Sequence, residues 1–178
     1  MIDPLIVLII SASLALLFFM SARHKMSEPR QFAATLSAYR LLPESMVPAV
    51  ARVLPVIEMA LVFMILVPFT RSIAAVVAAI LLSAYALAMG VNMARGRSDI
   101  DCGCGGQPQL LSPWLLLRNC VLVAGSCLLL APVSARAITW ADAFLLILMT
   151  AVLGMVYLVV EQLVRNHSFS ENRSSSNG

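Results

Sequence analysis

Five apolar runs, at residues 5–20, 46–69, 73–91, 114–130 and 138–160, decide most of what this chain can become. A helix crossing a bilayer needs roughly 20 predominantly apolar residues, because each residue advances it about 1.5 Å through a core about 30 Å thick. Four to five transmembrane helices joined by short connections satisfy that requirement, the first and fourth runs drawing on flanking residues. The same pattern excludes a water-soluble globule: 61% of the residues are hydrophobic and 12% charged, against about 25% charged in soluble domains. The chain therefore reads as all-α, a polytopic membrane helical bundle over residues 1–165, followed at 166–178 by a disordered polar tail with too little apolar surface to fold. Trp114 and Trp140 open the last two runs, where indole rings favour the headgroup level. Asp3 and no basic residue precedes the first run, which lacks the positive leader of a secretory signal and reads as a retained helix.

Two connections are long. In the first, 21–45, Ser27 is placed to cap a short helix with Pro29 in its first turn; Phe32, Leu36 and Tyr39 then share a face, and Pro43 ends it. Such a helix lies on or dips into the bilayer surface. The second, 92–113, is rich in turn formers and holds the only compact chemical motif. Outside the runs, Arg23, Lys25, Arg30, Arg40, Arg95, Arg97, Arg165 and Arg173 fall on one side of the membrane, and Arg71 and Arg136 on the other. The positive-inside rule then puts the N-terminus outside and both long connections in the cytoplasm. The net charge of +3 comes with no basic run and no basic patch interleaved with aromatics, so no nucleic-acid partner is expected.

The motif is Cys102-Gly103-Cys104-Gly105-Gly106. Its glycines free the backbone for unusual dihedrals, which lets two thiols one residue apart face each other or grip a third group. A disulfide across so short a ring departs from relaxed geometry, and strained disulfides are the oxidising, labile ones. Thiol–disulfide chemistry suits such a pair better than stapling. Asp99 and Asp101 oppose a thiolate here while Arg95 and Arg97 favour one, so the local charges do not decide its reactivity. A metal site is the weaker reading, because no set of four Cys or His ligands can be completed, and a purely structural role stays open.

Cys120 and Cys127 are seven residues apart, on about one face of their helix, roughly 9 and 20 Å beyond Trp114. The plain reading of both is a small buried hydrophobe, although a loop folding back could bring Cys104 to Cys120 and make that thiol a resolving partner. Ionisable residues inside spans are costly and face the bundle interior. Glu58, near the middle of the second run, is therefore expected to face Arg118, one turn into the fourth and followed by Asn119, as an architectural pair or as support for a redox or quinone site. Arg52, nearer an interface, can snorkel. No phosphate loop, zinc-protease helix or nucleophile elbow occurs.

Four segments in order, SARHKMSEPRQFAATLSAYRLLP, LPVIEMAL, VNMARGRSDIDCGCGG and SPWLLLRN, resemble the methylamine utilisation protein MauE family over about residues 21–119. The family is DoxX-like and similar in layout to the quinone-linked vitamin K epoxide reductase bundle. The resemblance implies a protein of the bacterial inner membrane that serves maturation of the disulfide-rich, quinone-cofactor beta subunit of methylamine dehydrogenase. It also implies a thioredoxin-like MauD-type partner, and carries a candidate redox pair onto Cys102 and Cys104, with Glu58, Arg118 and Asn119 as buried support. The family pattern has an aromatic residue where this chain has Gly105; both thiols remain. A quinone is the one cofactor the resemblance suggests. The alternatives are a non-catalytic membrane scaffold and an export or assembly factor. Exchange with a periplasmic substrate needs the Cys102 loop outside, against the vote of the basic residues.

Overall fold

The structure is a computed structural model that describes residues 2–97, 99–103, 110–137 and 139–175, with backbone alone at 157, 160, 161 and 164–175. It contains six helices among these residues: α1 Pro4–Ser27, α2 Pro29–Tyr39, α3 Val47–Leu66, α4 Arg71–Ala94, α5 Pro113–Leu128 and α6 Trp140–Ser175. The chain divides into two compact units, Met1–Arg136 and Ala137–Gly178.

In the first unit α1 packs along α3, α3 along α4, α4 along α5, and α5 returns to α1, so four helices close a ring; α2 is laid against α1 and α3. The facing stripes are legible residue by residue. On α1 the buried positions Val7, Ser11, Leu14, Phe18, Ser21 and Lys25 recur every three or four residues, and on α3 Ala51, Pro55, Glu58, Val62 and Ile65 do the same. α1 starts at Asp3, whose carboxylate accepts the Leu5 N–H at 2.8 Å, with Pro4 in the first turn where its missing N–H costs nothing. Pro55 inside α3 removes the N–H that would bond the Ala51 carbonyl, one turn before Glu58. Ile2 pairs with Val133 and ties the N-terminal segment to the exit of α5.

Polarity runs inside-out. Phe63, Phe69, Ile73, Ile80 and Leu87 are exposed, while Lys25, Glu58, Asn92, Asn119 and Ser126 are buried. That arrangement is stable only where the surroundings are hydrocarbon, because polar groups then seek partners inside the bundle. α1, α3 and α4 are long and apolar enough to cross a membrane, and α5 and the Trp140–Val156 part of α6 are shorter apolar helices. The all-α polytopic fold expected from the five runs is the one observed.

Three local differences from the sequence expectation have simple causes. α1 runs on to Ser27 because its buried stripe continues past Met20 through Ser21, Ala22 and Lys25, so the cap position of α2 falls on Glu28, and the Ser27 hydroxyl donates to the Arg23 carbonyl instead. α2 ends on Arg40 in the left-handed conformation, before Pro43 is reached. Its apolar face, Phe32 and Tyr39, is buried against protein.

The second unit is α6 with its lead-in. Thr139 and Asp142 cap it reciprocally: the Asp142 carboxylate accepts from the Thr139 N–H and hydroxyl, both at 2.8 Å, and the Asp142 N–H donates to the Thr139 hydroxyl at 3.4 Å. The helical backbone continues past Asn166 to Ser175, through the segment whose composition predicts a polar tail.

Candidate functional site

Glu58 is fully buried, and it is held by Lys25 of α1, not by Arg118. Lys25 Nζ donates to Glu58 Oε1 at 2.5 Å, the Tyr85 hydroxyl donates to the same oxygen at 2.7 Å, and the Ser21 hydroxyl does so at 3.2 Å. Lys25 Nζ also donates to the Tyr85 oxygen at 3.3 Å and lies over the rings of Phe32 and Tyr85, 5.1 and 4.8 Å from their centroids. Three side chains, two from α1 and one from α4, thus converge on one carboxylate oxygen of α3. The other, Oε2, is buried with no hydrogen-bond partner among the described residues. The expected pairing of Glu58 with Arg118 fails because the prolonged α1 brings its own cation alongside α3, whereas Arg118 is half-buried near the start of α5. This also removes Lys25 from the basic residues outside the membrane-spanning runs, although the tally still favours the same side.

Beside this cluster is a cavity of about 280 Å³. Its walls are aliphatic, Leu36, Val50, Leu54 and Leu81 among them, with Phe32, Tyr39 and Tyr85 as aromatic faces and Lys25 as its cation. The loop after α4 supplies the last wall, Cys102 and Gly103. Three features seat that loop. An antiparallel bridge joins Asp101 to Leu110, and the Leu111 N–H donates to the Ile100 carbonyl, pinching the loop at its base. The Tyr39 hydroxyl donates to the Cys102 carbonyl at 3.3 Å, and the Arg97 guanidinium donates to the Ala38 carbonyl at 2.9 Å, near the end of α2. Gly103 has φ +69°, and a Cβ there would stand 3.0 Å from Thr35 Cγ2, so both the left-handed backbone and the close approach to α2 require glycine.

The remaining sequence candidates are placed as follows. Cys104, Gly105 and Gly106 lie outside the described residues. Cys120 and Cys127 are free thiols on the exposed face of α5, among outward-facing Leu117, Val121 and Leu128, not the buried positions expected of them, because the ring-facing stripe of α5 is Leu115, Asn119 and Ser126. Cys120 does not line the cavity that Cys102 lines. Asn119 is buried and donates to the Leu115 carbonyl of its own helix at 2.9 Å. Among the described residues no cluster of His, Cys, Asp and Glu could hold a metal.

Sequence reasoning passed over Lys25, Ser21 and Tyr85. The signal for the first two was present: Leu14, Phe18, Ser21 and Lys25 continue one three-to-four stripe, which marks them as ring-facing whatever their polarity.

Buried charge in a ring of apolar helices, facing a cavity walled by a glycine-seated cysteine loop, defines the class: a polytopic helical membrane protein with an internal polar centre. The particular family follows from comparison, since the profile described as "Methylamine utilisation protein MauE" matches residues 3–132, which hold α1 to α5 and every element of the site. The chain belongs to that family. A methylamine utilization protein MauE of Paracoccus denitrificans is 40% identical over 126 residues, 70% of this chain and 68% of that protein. One of Methylophilus methylotrophus is 31% identical over 166 residues, 91% of this chain and 87% of its own length. That of Paracoccus versutus is 37% identical over 124 residues, 68% and 67% respectively. No solved structure matches the chain.

Proposed function

We propose that this protein acts in methylamine utilisation as a multi-pass protein of the bacterial inner membrane, maturing the beta subunit of methylamine dehydrogenase by thiol–disulfide exchange at Cys102 and Cys104, with a thioredoxin-like MauD-type protein as partner. The observation that carries this reading is the seating of Cys102. A cysteine with a merely structural role needs no left-handed glycine packed on Thr35, no Tyr39 bond and no pinched base to hold it at the edge of a cavity. In the exchange, a thiolate of one dithiol attacks the disulfide of the other, a mixed disulfide forms, and the second thiolate resolves it. Two electrons pass, and the disulfide changes owner. The loop is assigned to the periplasmic face, where the substrate subunit resides.

The test is labelling of the loop in intact cells with a membrane-impermeant maleimide, before and after reduction, in a Cys120→Ser, Cys127→Ser background. Labelling that appears only after reduction is the expected result. Labelling that requires opened cells places the loop in the cytoplasm and removes direct exchange with a periplasmic subunit. Maturation that survives Cys102→Ser with Cys104→Ser makes the protein a scaffold or assembly factor instead.

A further inference from the structure

We propose that the cavity beside Cys102 is a side-chain pocket for the exchange substrate, taking one aromatic side chain carried two residues from the substrate cysteine. This deepens the exchange reading above and rests on it. Polarity narrows the occupant first. The Lys25 ammonium carries three donors; Glu58 Oε1 and the Tyr85 oxygen take two, and the third meets the faces of Phe32 and Tyr85. With its cation matched by Glu58, the cavity is neutral and asks for no polar partner. An anion would compete with Glu58 for the ammonium, and a polar side chain would give up water for aliphatic walls.

Size and wall chemistry narrow it further. An apolar cavity of about 150 Å³ admits a benzene ring, so about 280 Å³ has room for a phenyl or an indole. Phe32, Tyr39 and Tyr85 offer rings for offset or edge-on contact, and Met89 offers a sulfur. The cavity reaches the surface on the side of the connections, since Leu41 in its wall is exposed and Thr35 and Cys102 are half-buried.

Covalent geometry sets the register. In exchange the Cys102 thiolate attacks one sulfur of the substrate disulfide; a bond forms to that sulfur, the old S–S bond breaks, and the other sulfur leaves with the electron pair. The mixed disulfide holds the two Cα atoms about 4.4–6.8 Å apart. In an extended segment alternate side chains share a face, with positions i and i+2 about 6.6 Å apart. The residue two from the substrate cysteine therefore points the same way as its sulfur, towards the wall that Cys102 forms, and the immediate neighbours point away. The Tyr39 hydrogen bond and the packing of Gly103 on Thr35 fix that wall, so the register discriminates.

The experiment uses the full chain in lipid nanodiscs, as a Cys104→Ser, Cys120→Ser, Cys127→Ser variant in which Cys102 is the one thiol. Pentapeptide amides whose cysteine is activated as its thionitrobenzoate disulfide report the attack by releasing the coloured thiolate. The peptide Ala-Cys-Ala-Trp-Ala should react about tenfold faster than Ala-Cys-Ala-Ala-Ala, and Ala-Cys-Trp-Ala-Ala no more than about twofold faster. Ala84→Phe, which fills the cavity, should erase the larger preference while the thermal midpoint holds. Equal rates for the tryptophan and alanine peptides, equal preference in the two registers, or a preference kept in Ala84→Phe overturn the pocket and leave exchange at Cys102 standing. A Cys102 that attacks no peptide, yet reacts once the chain is unfolded in dodecyl sulfate, overturns the exchange reading and the pocket with it.

Discussion

The two ends of the four-helix ring solve the same packing problem in opposite ways. At one end Val7, Leu14, Phe18, Leu61, Ile65 and Leu82 close around Ala74, Ala75 and Ala78, and the alanines let backbones approach until no side chain there is accessible. At the other, a smaller cluster of Tyr39, Met89, Ile100, Leu111 and Leu115 stands beside a cavity and a buried ion pair. In a bilayer the apolar end gains little from excluding water and is held by close contact. The polar end is held by directed bonds, and those tolerate empty space.

Three sets of substitutions sharpen or break this contrast, each read as unfolding free energy in mixed micelles. Lys25→Met leaves the buried Glu58 carboxylate unmatched and should cost about 3–5 kcal/mol, whereas Lys25→Met combined with Glu58→Leu should recover most of that loss. Equal losses in the single and double variants would mean the pair is not what holds this end. Adding the same bulk at the two ends should then differ: Ala78→Leu overpacks a site with no accessible surface and should cost about 1–3 kcal/mol, while Ala84→Leu grows into the cavity and should stay within about 0.5 kcal/mol. Similar costs at both positions would erase the distinction between a filled end and an open one. The smallest effect is one of sign. Ser21→Ala loses a hydrogen bond to a carboxylate and should destabilise by about 1.5 kcal/mol, but Ser11→Ala, on the same stripe of α1, removes a buried hydroxyl that has no hydrogen-bond partner among the described residues and should stabilise by about 1 kcal/mol.

Much of the fold could be read directly from residue order. Apolar run length determined that the chain is helical and membranous, Trp114 and Trp140 marked two helix starts within a residue, and Gly103 announced a backbone that only glycine accepts. These are local properties: hydrophobic length, ring geometry and the absence of a Cβ act within a few residues of where they are written. The apolar face of α2 was equally visible in Phe32, Leu36 and Tyr39, yet what that face covers was not. Glu58 shows the same limit. Burial in an apolar run demanded a cation, and Arg118 stood at a plausible depth, but helical periodicity names the inward face of each helix without naming its neighbour. Tertiary structure decided for Lys25, because α1 continues through Ser27 and lies along α3, so a lysine that composition assigns to a polar connection becomes the buried partner of a carboxylate on the next helix.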